Sequence, residues 1–347
     1  MANYLAHAGV TDPEVLIIGA GPAGLTAATY LARFRRRVLV ADGGQPRACW
    51  IPLSHNMPGF PQGITGDAIL RRMTEQAVEY GAVIEPGRVE TLDRAGEGFT
   101  ARLNGRTVRA RAVLLATGVV DHHPDLPGVE RAIERALVRI CPICDGYEAI
   151  DRAVAVIGND DKGAREAAFL RTYSERVALI HIGPAEALTC RDELARVGVE
   201  LICAPIDNVR LEGDRVTALS WGGTFRAFDL VYSALGTSPN GELAAALGAR
   251  LGEDWRLFTD AHQQTSVPGL YAAGDVVRGL NQIAVATAEA AVAATDIHNR
   301  LRAVEGMVIP PWADEIRPVA PPPTDRPPDP APPAAWRRRP EPPRGSS

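Results

Sequence analysis

VLIIGAGPAGLTAATYLARFRRRVLVAD, residues 15–42, sets an apolar β-branched strand before a glycine turn, then a helical run of small and apolar residues, then a second β-branched strand that ends on an acid. That rhythm is one βαβ unit of a parallel sheet. In the turn, Gly19, Gly21, Pro22, Ala23 and Gly24 give G-x-G-x-x-G spacing. Gly19 permits the tight turn, Gly21 lets the backbone approach a pyrophosphate, and Gly24 lets the helix pack close to the strand, so that an anion faces the helix N-terminus. Asp42 stands where ribose hydroxyls need an acceptor. With strand, turn, helix and acid all in order, the segment is expected to bind a dinucleotide.

Residues 153–181, AVAVIGNDDKGAREAAFLRTYSERVALIH, repeat the rhythm. Two such units predict an α/β fold of two Rossmann-like, three-layer domains in one chain. The second turn is spelled GNDDKG, with Asp160 where the phosphate-approaching glycine belongs. A carboxylate about 4 Å from a phosphate charge costs about 1 kcal/mol at water's dielectric and about 4 kcal/mol at an effective value of 20. The second turn should therefore bind a dinucleotide weakly, unless Lys162, the only lysine, neutralises it.

CPICD, residues 141–145, precedes that turn. A Cys-x-x-Cys pair at a helix start has lowered thiol pKa values, and its short loop lets it close into a disulfide. Half of a zinc site and a pair of packing thiols are the competing readings. Zinc needs two further ligands at matching spacing, whereas Cys49, Cys190 and Cys203 are isolated and are expected as core thiols. His122 and His123 are adjacent and diverge, so no metal is expected there. Asp145 is either an acid-base group beside a thiolate or a helix cap.

The chain has 347 residues, 46% hydrophobic, with 33 glycines and a formal charge of −5, which suits a globular protein of two domains. The acidic balance argues against nucleic acid or an anionic membrane as main partner. No apolar run reaches the roughly 18 residues that span a bilayer, and the first residues lack signal-peptide character, so a cytoplasmic protein is expected. From Pro310 onward lie half of the 28 prolines, and that tail is expected to be extended and disordered.

Further motifs carry a resemblance. GLYAAGDVVRGLNQIAVATAE, residues 269–289, resembles the closing fingerprint of the two-dinucleotide-domain flavoproteins, in which Asp275 after Gly274 would contact the ribitol chain of FAD. LLATG, residues 114–118 with Ala116, Thr117 and Gly118, and SALGTSPN, residues 233–240, resemble the two crossovers between that family's domains. SHNMPGFPQGITG, residues 54–66, resembles its flavin-proximal loop. With CPICD in the second domain, the chain resembles the pyridine nucleotide-disulfide oxidoreductases, and the low-molecular-weight thioredoxin reductases in particular, over about residues 13–305.

The resemblance implies an FAD domain in two parts, 1–122 and 243–310, around an inserted domain, 123–242, with the tail at 311–347. It implies homodimers, FAD held also by Asn56, Gln282 and Ile283, and His55 near the flavin. Cys144 would face the flavin, Cys141 would be the interchange thiol and Asp145 the proton donor and acceptor. Asn281 stands where the family has arginine. The partner implied is a thioredoxin-like protein or a small-molecule disulfide or dithiol.

The family's NADPH site, however, is missing on both sides. Its His-Arg-Arg-x-x-x-Arg motif reads HIGPAEA here, with Ile182, Gly183 and Ala187 in place of three arginines that grip the 2′-phosphate, and Glu186 is the only nearby acid. The expected function is exchange of two electrons between FAD and the Cys141/Cys144 pair, with ferredoxin or another donor in place of NADPH. A flavin-dependent dithiol oxidase using oxygen and a non-catalytic flavin redox sensor are the alternatives. In the apolar stretch Met307, Val308, Ile309 and Trp312, the tryptophan would cover the flavin or pack on the surface.

Overall fold

The computed structural model describes residues 12–124, 129–203, 208–212, 215–221 and 223–309. The chain divides into two compact units, Met1–Gly306 and Met307–Ser347. Of the second, residues 307–309 alone are described, so Trp312 and the proline-rich tail lie outside the described residues.

The first sheet grows outward from the opening strand. Val15–Ile18, buried at all four residues, pairs in parallel with Val38–Asp42 on one side and Ala112–Leu115 on the other. Val83–Pro86 and Leu270–Ala272 complete its edges, also in parallel. A parallel strand covered on both faces needs a continuous apolar run, which VLII and AVLL supply. Odd and even residues divide the two faces. Val15 and Ile17 face alanines and leucines of the helices Pro22–Arg33 and Ile283–Val304, whereas Leu16 and Ile18 face an antiparallel meander, Val89–Ala95, Gly98–Leu103 and Arg106–Ala110.

The second sheet repeats the plan. Its order is Glu200–Cys203, Val177–His181, Val154–Gly158, Leu230–Ala234, Val138–Arg139, parallel throughout. The helix Asp161–Leu170 packs on it, and a second meander, Asn208–Glu212, Arg215–Trp221 and Thr224–Arg226, accompanies it. The duplication read from the two βαβ rhythms is therefore a duplication of whole sheets.

The two passages between the sheets hold each other. Val119–Asp121 pairs antiparallel with Thr237–Pro239. Thr117 Oγ1 donates to Asn240 O at 2.7 Å, and Asn240 Nδ2 donates to Thr117 O at 2.8 Å. His122 joins them again, its ring nitrogens lying 2.8 Å from Ser238 Oγ and 3.3 Å from Leu235 O.

The lone cysteines correct the sequence reading: Cys49 and Cys203 are exposed, and Cys190 is half-buried. Cys49 lies on a single 3-10 turn, Arg47–Trp50, whose buried residue is Ala48. Cys203 ends an edge strand. Average burial of a residue type does not decide positions like these. Among the described residues, no helix is long and apolar enough to cross a membrane.

Candidate active site

A cavity of about 650 Å³ opens at the carboxyl ends of the first sheet, where ligands of open α/β sheets bind. Gly19, Gly21, Pro22, Ala23 and Asp42 line it, together with Asn56, Ala116, Thr117 and Gly118, and with Gly274, Asp275, Gln282 and Ile283 from the closing fingerprint. Cys141, Cys144 and Asp145 line the same space. Gly24 does not. A Cβ there would lie 1.8 Å from Gly19 O, so Gly24 is the contact between helix and strand.

Gly21 differs from its neighbours. At φ −75° it is not strained, and a Cβ would meet nothing nearer than Pro46 Cβ at 3.8 Å. Neither backbone nor packing requires glycine there, so the empty volume is of use only to a ligand. The helix it caps starts with no side-chain cap and no acid in its first turn, which leaves its leading N–H groups free. This cradle fits a pyrophosphate.

Charge gathers at another part of the lining. Arg47 donates to both carboxylate oxygens of Asp121, at 2.6 and 2.7 Å, and lies 3.7 Å from Asp275 Oδ2. Burial pushes the Asp275 carboxyl up, against the pull of Arg47 and Arg256. Arg256 donates to Asp275 O, reaches Thr237 Oγ1 at 3.1 Å and stands 3.5 Å from Asn281 Oδ1. A cation thus lies beside Asn281 although arginine is missing from that position. Asp42 Oδ1 accepts Gly44 N at 3.0 Å.

Cys141 and Cys144 form a disulfide. Cys141 caps the single helical turn Pro142–Asp145, its sulfur accepting the Cys144 N–H at 3.2 Å. Gln282, expected as a flavin contact, also donates toward both sulfurs, at 3.4 Å to Cys141 Sγ and 3.3 Å to Cys144 Sγ, and its Oε1 accepts Asn56 Nδ2 at 3.0 Å. A chain of polar contacts therefore runs from Asn56, in the loop at 54–66, to the disulfide. Asp145 makes no cap hydrogen bond. Its Oδ2 pairs with Arg139 at 2.9 Å, while its Oδ1 is buried with no partner. Burial raises its pKa despite Arg139, which suits a group that must hold a proton. Arg139 carries no motif and was not legible in the sequence. His55 packs near Gly63 and is absent from the cavity lining.

The second glycine turn is closed. Asp160 caps the helix Asp161–Leu170 with its own carboxylate, accepting Lys162 N at 2.8 Å and Gly163 N at 3.3 Å. A side-chain anion therefore takes the N–H groups that a phosphate would use. The packing glycines remain: a Cβ on Gly163 would lie 2.7 Å from Gly158 Cα. Gly183 is fixed too, since a Cβ there would meet Asn159 O at 2.1 Å. His181 is buried, its Nε2 2.9 Å from Pro184 O, and Glu186 is exposed.

The family model for pyridine nucleotide-disulphide oxidoreductases matches residues 13–290. The chain belongs to that family. It is a thioredoxin-reductase-like flavoprotein oxidoreductase acting on a sulfur group. It is 32% identical to the thioredoxin reductase of Mycolicibacterium smegmatis over 296 residues, covering 82% of this chain and 95% of that one. It is 30% identical to the bifunctional thioredoxin reductase/thioredoxin of Mycobacterium leprae (strain TN), covering 85% of this chain and 67% of that protein. Its fold superposes on the thioredoxin reductase of Streptococcus pyogenes MGAS5005 with a TM-score of 0.79 at 26% identity, covering 85% of this chain and all of that chain, 100%. Membership of the family implies FAD, and usually NADPH.

Proposed function

We propose that the protein passes two electrons between FAD and the Cys141–Cys144 disulfide, and exchanges them with a thioredoxin-like protein or a small-molecule disulfide or dithiol, with a donor other than NADPH. The observation that carries the reading is the Asp160 carboxylate on the second helix N-terminus, with Gly183 wedged against Asn159. Gly21, Asp42, Asn56, Asp275 and Gln282 would hold the FAD, which when bound supplies the two-electron chemistry. Cys144 is the sulfur assigned to the flavin side and Cys141 the sulfur assigned to substrate. Asp145, whose carboxyl burial pushes up despite Arg139, would exchange the proton that accompanies opening of the disulfide by the flavin. A relative that fuses thioredoxin to its reductase supports a thioredoxin-like partner.

The closed turn also favours a second reading, in which a dithiol is itself the reductant and oxygen the acceptor. Anaerobic mixing of the oxidised holoprotein with NADPH, NADH, reduced ferredoxin and a dithiol in turn, followed by flavin absorbance, separates the readings. Millimolar NADPH is expected to leave the flavin oxidised on a catalytic timescale. Rapid, saturable bleaching at micromolar NADPH would overturn the proposal and make this an ordinary thioredoxin reductase.

A further inference from the structure

A second cleft, of about 250 Å³, touches the disulfide from another side. Cys141 lines both this cleft and the large cavity, whereas Cys144 and Asp145 line the large cavity alone. Ile143, Phe169 and Leu280 form apolar walls and are each partly open to solvent. Into the same cleft comes Glu166, from the helix Asp161–Leu170, which packs against the turn that carries the cysteines. Its Oε2 is buried and has no hydrogen-bond partner. Burial, then the charges of Asp160 and Asp121, raise its pKa to about 7. Of the two cations in the lining, Arg47 is engaged by Asp121 and Asp275, and Arg165 is exposed. A carboxyl oxygen buried without a partner in such a wall costs stability.

We propose that this cleft admits a small thiol or disulfide to Cys141, and that Glu166 exchanges the proton of the substrate sulfur there. The inference rests on the reading of Cys141 as the interchange sulfur. When a dithiol arrives, the Glu166 carboxylate takes the proton of one thiol. That sulfur attacks Cys141 Sγ, the Cys141–Cys144 bond breaks, and its electron pair leaves on Cys144. The substrate's second sulfur then displaces Cys141, its proton passing to the departing Cys141 sulfur. Glu166 releases its proton to solvent. The products are the substrate disulfide, the Cys141 thiol and the Cys144 thiolate. In reverse, protonated Glu166 returns a proton to the leaving substrate sulfur. The apolar walls suit a compact substrate with a hydrocarbon body.

The test uses the holoprotein with dithiothreitol as probe. Opening of the Cys141–Cys144 bond is stopped with an alkylating reagent and read by mass spectrometry from about pH 5 to about pH 9, a range that starts above ordinary carboxyl ionisation and reaches that of thiols. The wild-type rate should inflect near neutrality, before the rise due to the probe's own thiol. Glu166→Gln should lose that inflection and be slower near pH 7.5 by on the order of 10²-fold. Glu166→Asp should restore it. Identical profiles for wild type and Glu166→Gln would overturn the proposal and leave the interchange role of Cys141 standing. If Glu166→Gln folds poorly, the wild-type profile decides, and the absence of an inflection overturns the proposal. A disulfide that dithiothreitol opens at no pH would overturn this proposal and the interchange reading together.

Discussion

At residue 21 the first turn carries a glycine whose missing Cβ leaves open space, whereas at residue 160, the same place in the second turn, an aspartate folds its carboxylate back onto its own helix. Around these positions the turns agree. Gly19 and Gly24 touch as Gly158 and Gly163 do, and each turn joins the buried central strand of a five-stranded parallel sheet to a helix. Glycines that the fold itself needs are present in both, and the glycine that only a ligand needs is present in one. The contrast extends along the helices: Pro22–Arg33 bears no acid, whereas Asp160, Asp161 and Glu166 stand at or on the other.

The most severe way to break the contrast is to give the first turn the residue of the second. Gly21→Asp places a carboxylate in the cradle, at a cost of about 4 kcal/mol against a phosphate at an effective dielectric of 20. That corresponds to about three decades of affinity. The purified variant is expected to be nearly colourless where wild type is yellow, as read by the ratio of flavin to protein absorbance. Retention of full FAD content would show that the cradle is not the pyrophosphate site.

Next in size is an effect of charge on stability at the helix that follows the second turn. The carboxyl of Glu166 is raised from 4.5 to about 7 by burial first, and by Asp160 and Asp121 second. A carboxyl raised in the folded state favours the fold most below its unfolded pKa, and this contribution is lost as pH rises through the folded value. Glu166→Gln should therefore stabilise the protein at pH 8 relative to wild type, by up to about 3 kcal/mol, and the difference should vanish near pH 4. Chemical denaturation at the two pH values measures it. A difference independent of pH would mean that Glu166 ionises normally.

What the sequence disclosed follows from how local each feature is. Strand, turn and helix of both units were legible because apolar runs and glycine spacing are encoded within about 30 residues. Asp160 was legible as a wrong residue at a fixed place in a motif, although its capping hydrogen bonds were not. Gln282 was read as a flavin contact, and its contact with both sulfurs became visible only when two segments 138 residues apart came together. Arg139, Arg47, Arg256 and Glu166 carry no motif. Each gains its meaning from a partner on a different element, such as Asp145, Asp121, Asn281 or Cys141. Cys49 and Cys203 were misplaced because an average tendency of cysteine to be buried says nothing about one 3-10 turn or one edge strand.

A smaller effect sharpens the comparison from the other side. Asp160→Gly frees the N–H groups of Lys162 and Gly163 and removes the repelling charge. Binding of NADH and of NADPH should then improve by one to two decades, the scale of a carboxylate–phosphate repulsion of about 1 to 3 kcal/mol. Both should improve equally, because Ile182, Gly183 and Ala187 give the 2′-phosphate nothing to hold, and an arginine at 183 would clash with Asn159 O. Titration calorimetry with the two nucleotides tests this. Selective improvement for NADPH would reveal a phosphate site elsewhere.

The smallest effects come from placing alanine at both positions, and there the two turns should respond with opposite sign. Asp160→Ala removes two hydrogen bonds to the leading N–H groups of a helix, a loss of about 1 kcal/mol for a cap of this kind. Gly21→Ala removes no side-chain cap. Its φ of −75° and ψ of −177° are open to any residue, and its Cβ would sit 3.8 Å from the nearest atom, Pro46 Cβ. Restricting the unfolded chain then stabilises the FAD-free protein by about 0.4 to 1 kcal/mol. With FAD bound the same methyl group would take up space in the cradle proposed for its pyrophosphate, so the gain should shrink or reverse on reconstitution. Urea titrations of the FAD-free and reconstituted variants read all of these quantities. If Gly21→Ala destabilises the FAD-free protein, glycine is needed at residue 21 by the fold after all, and the difference between the two turns is one of packing rather than of ligand.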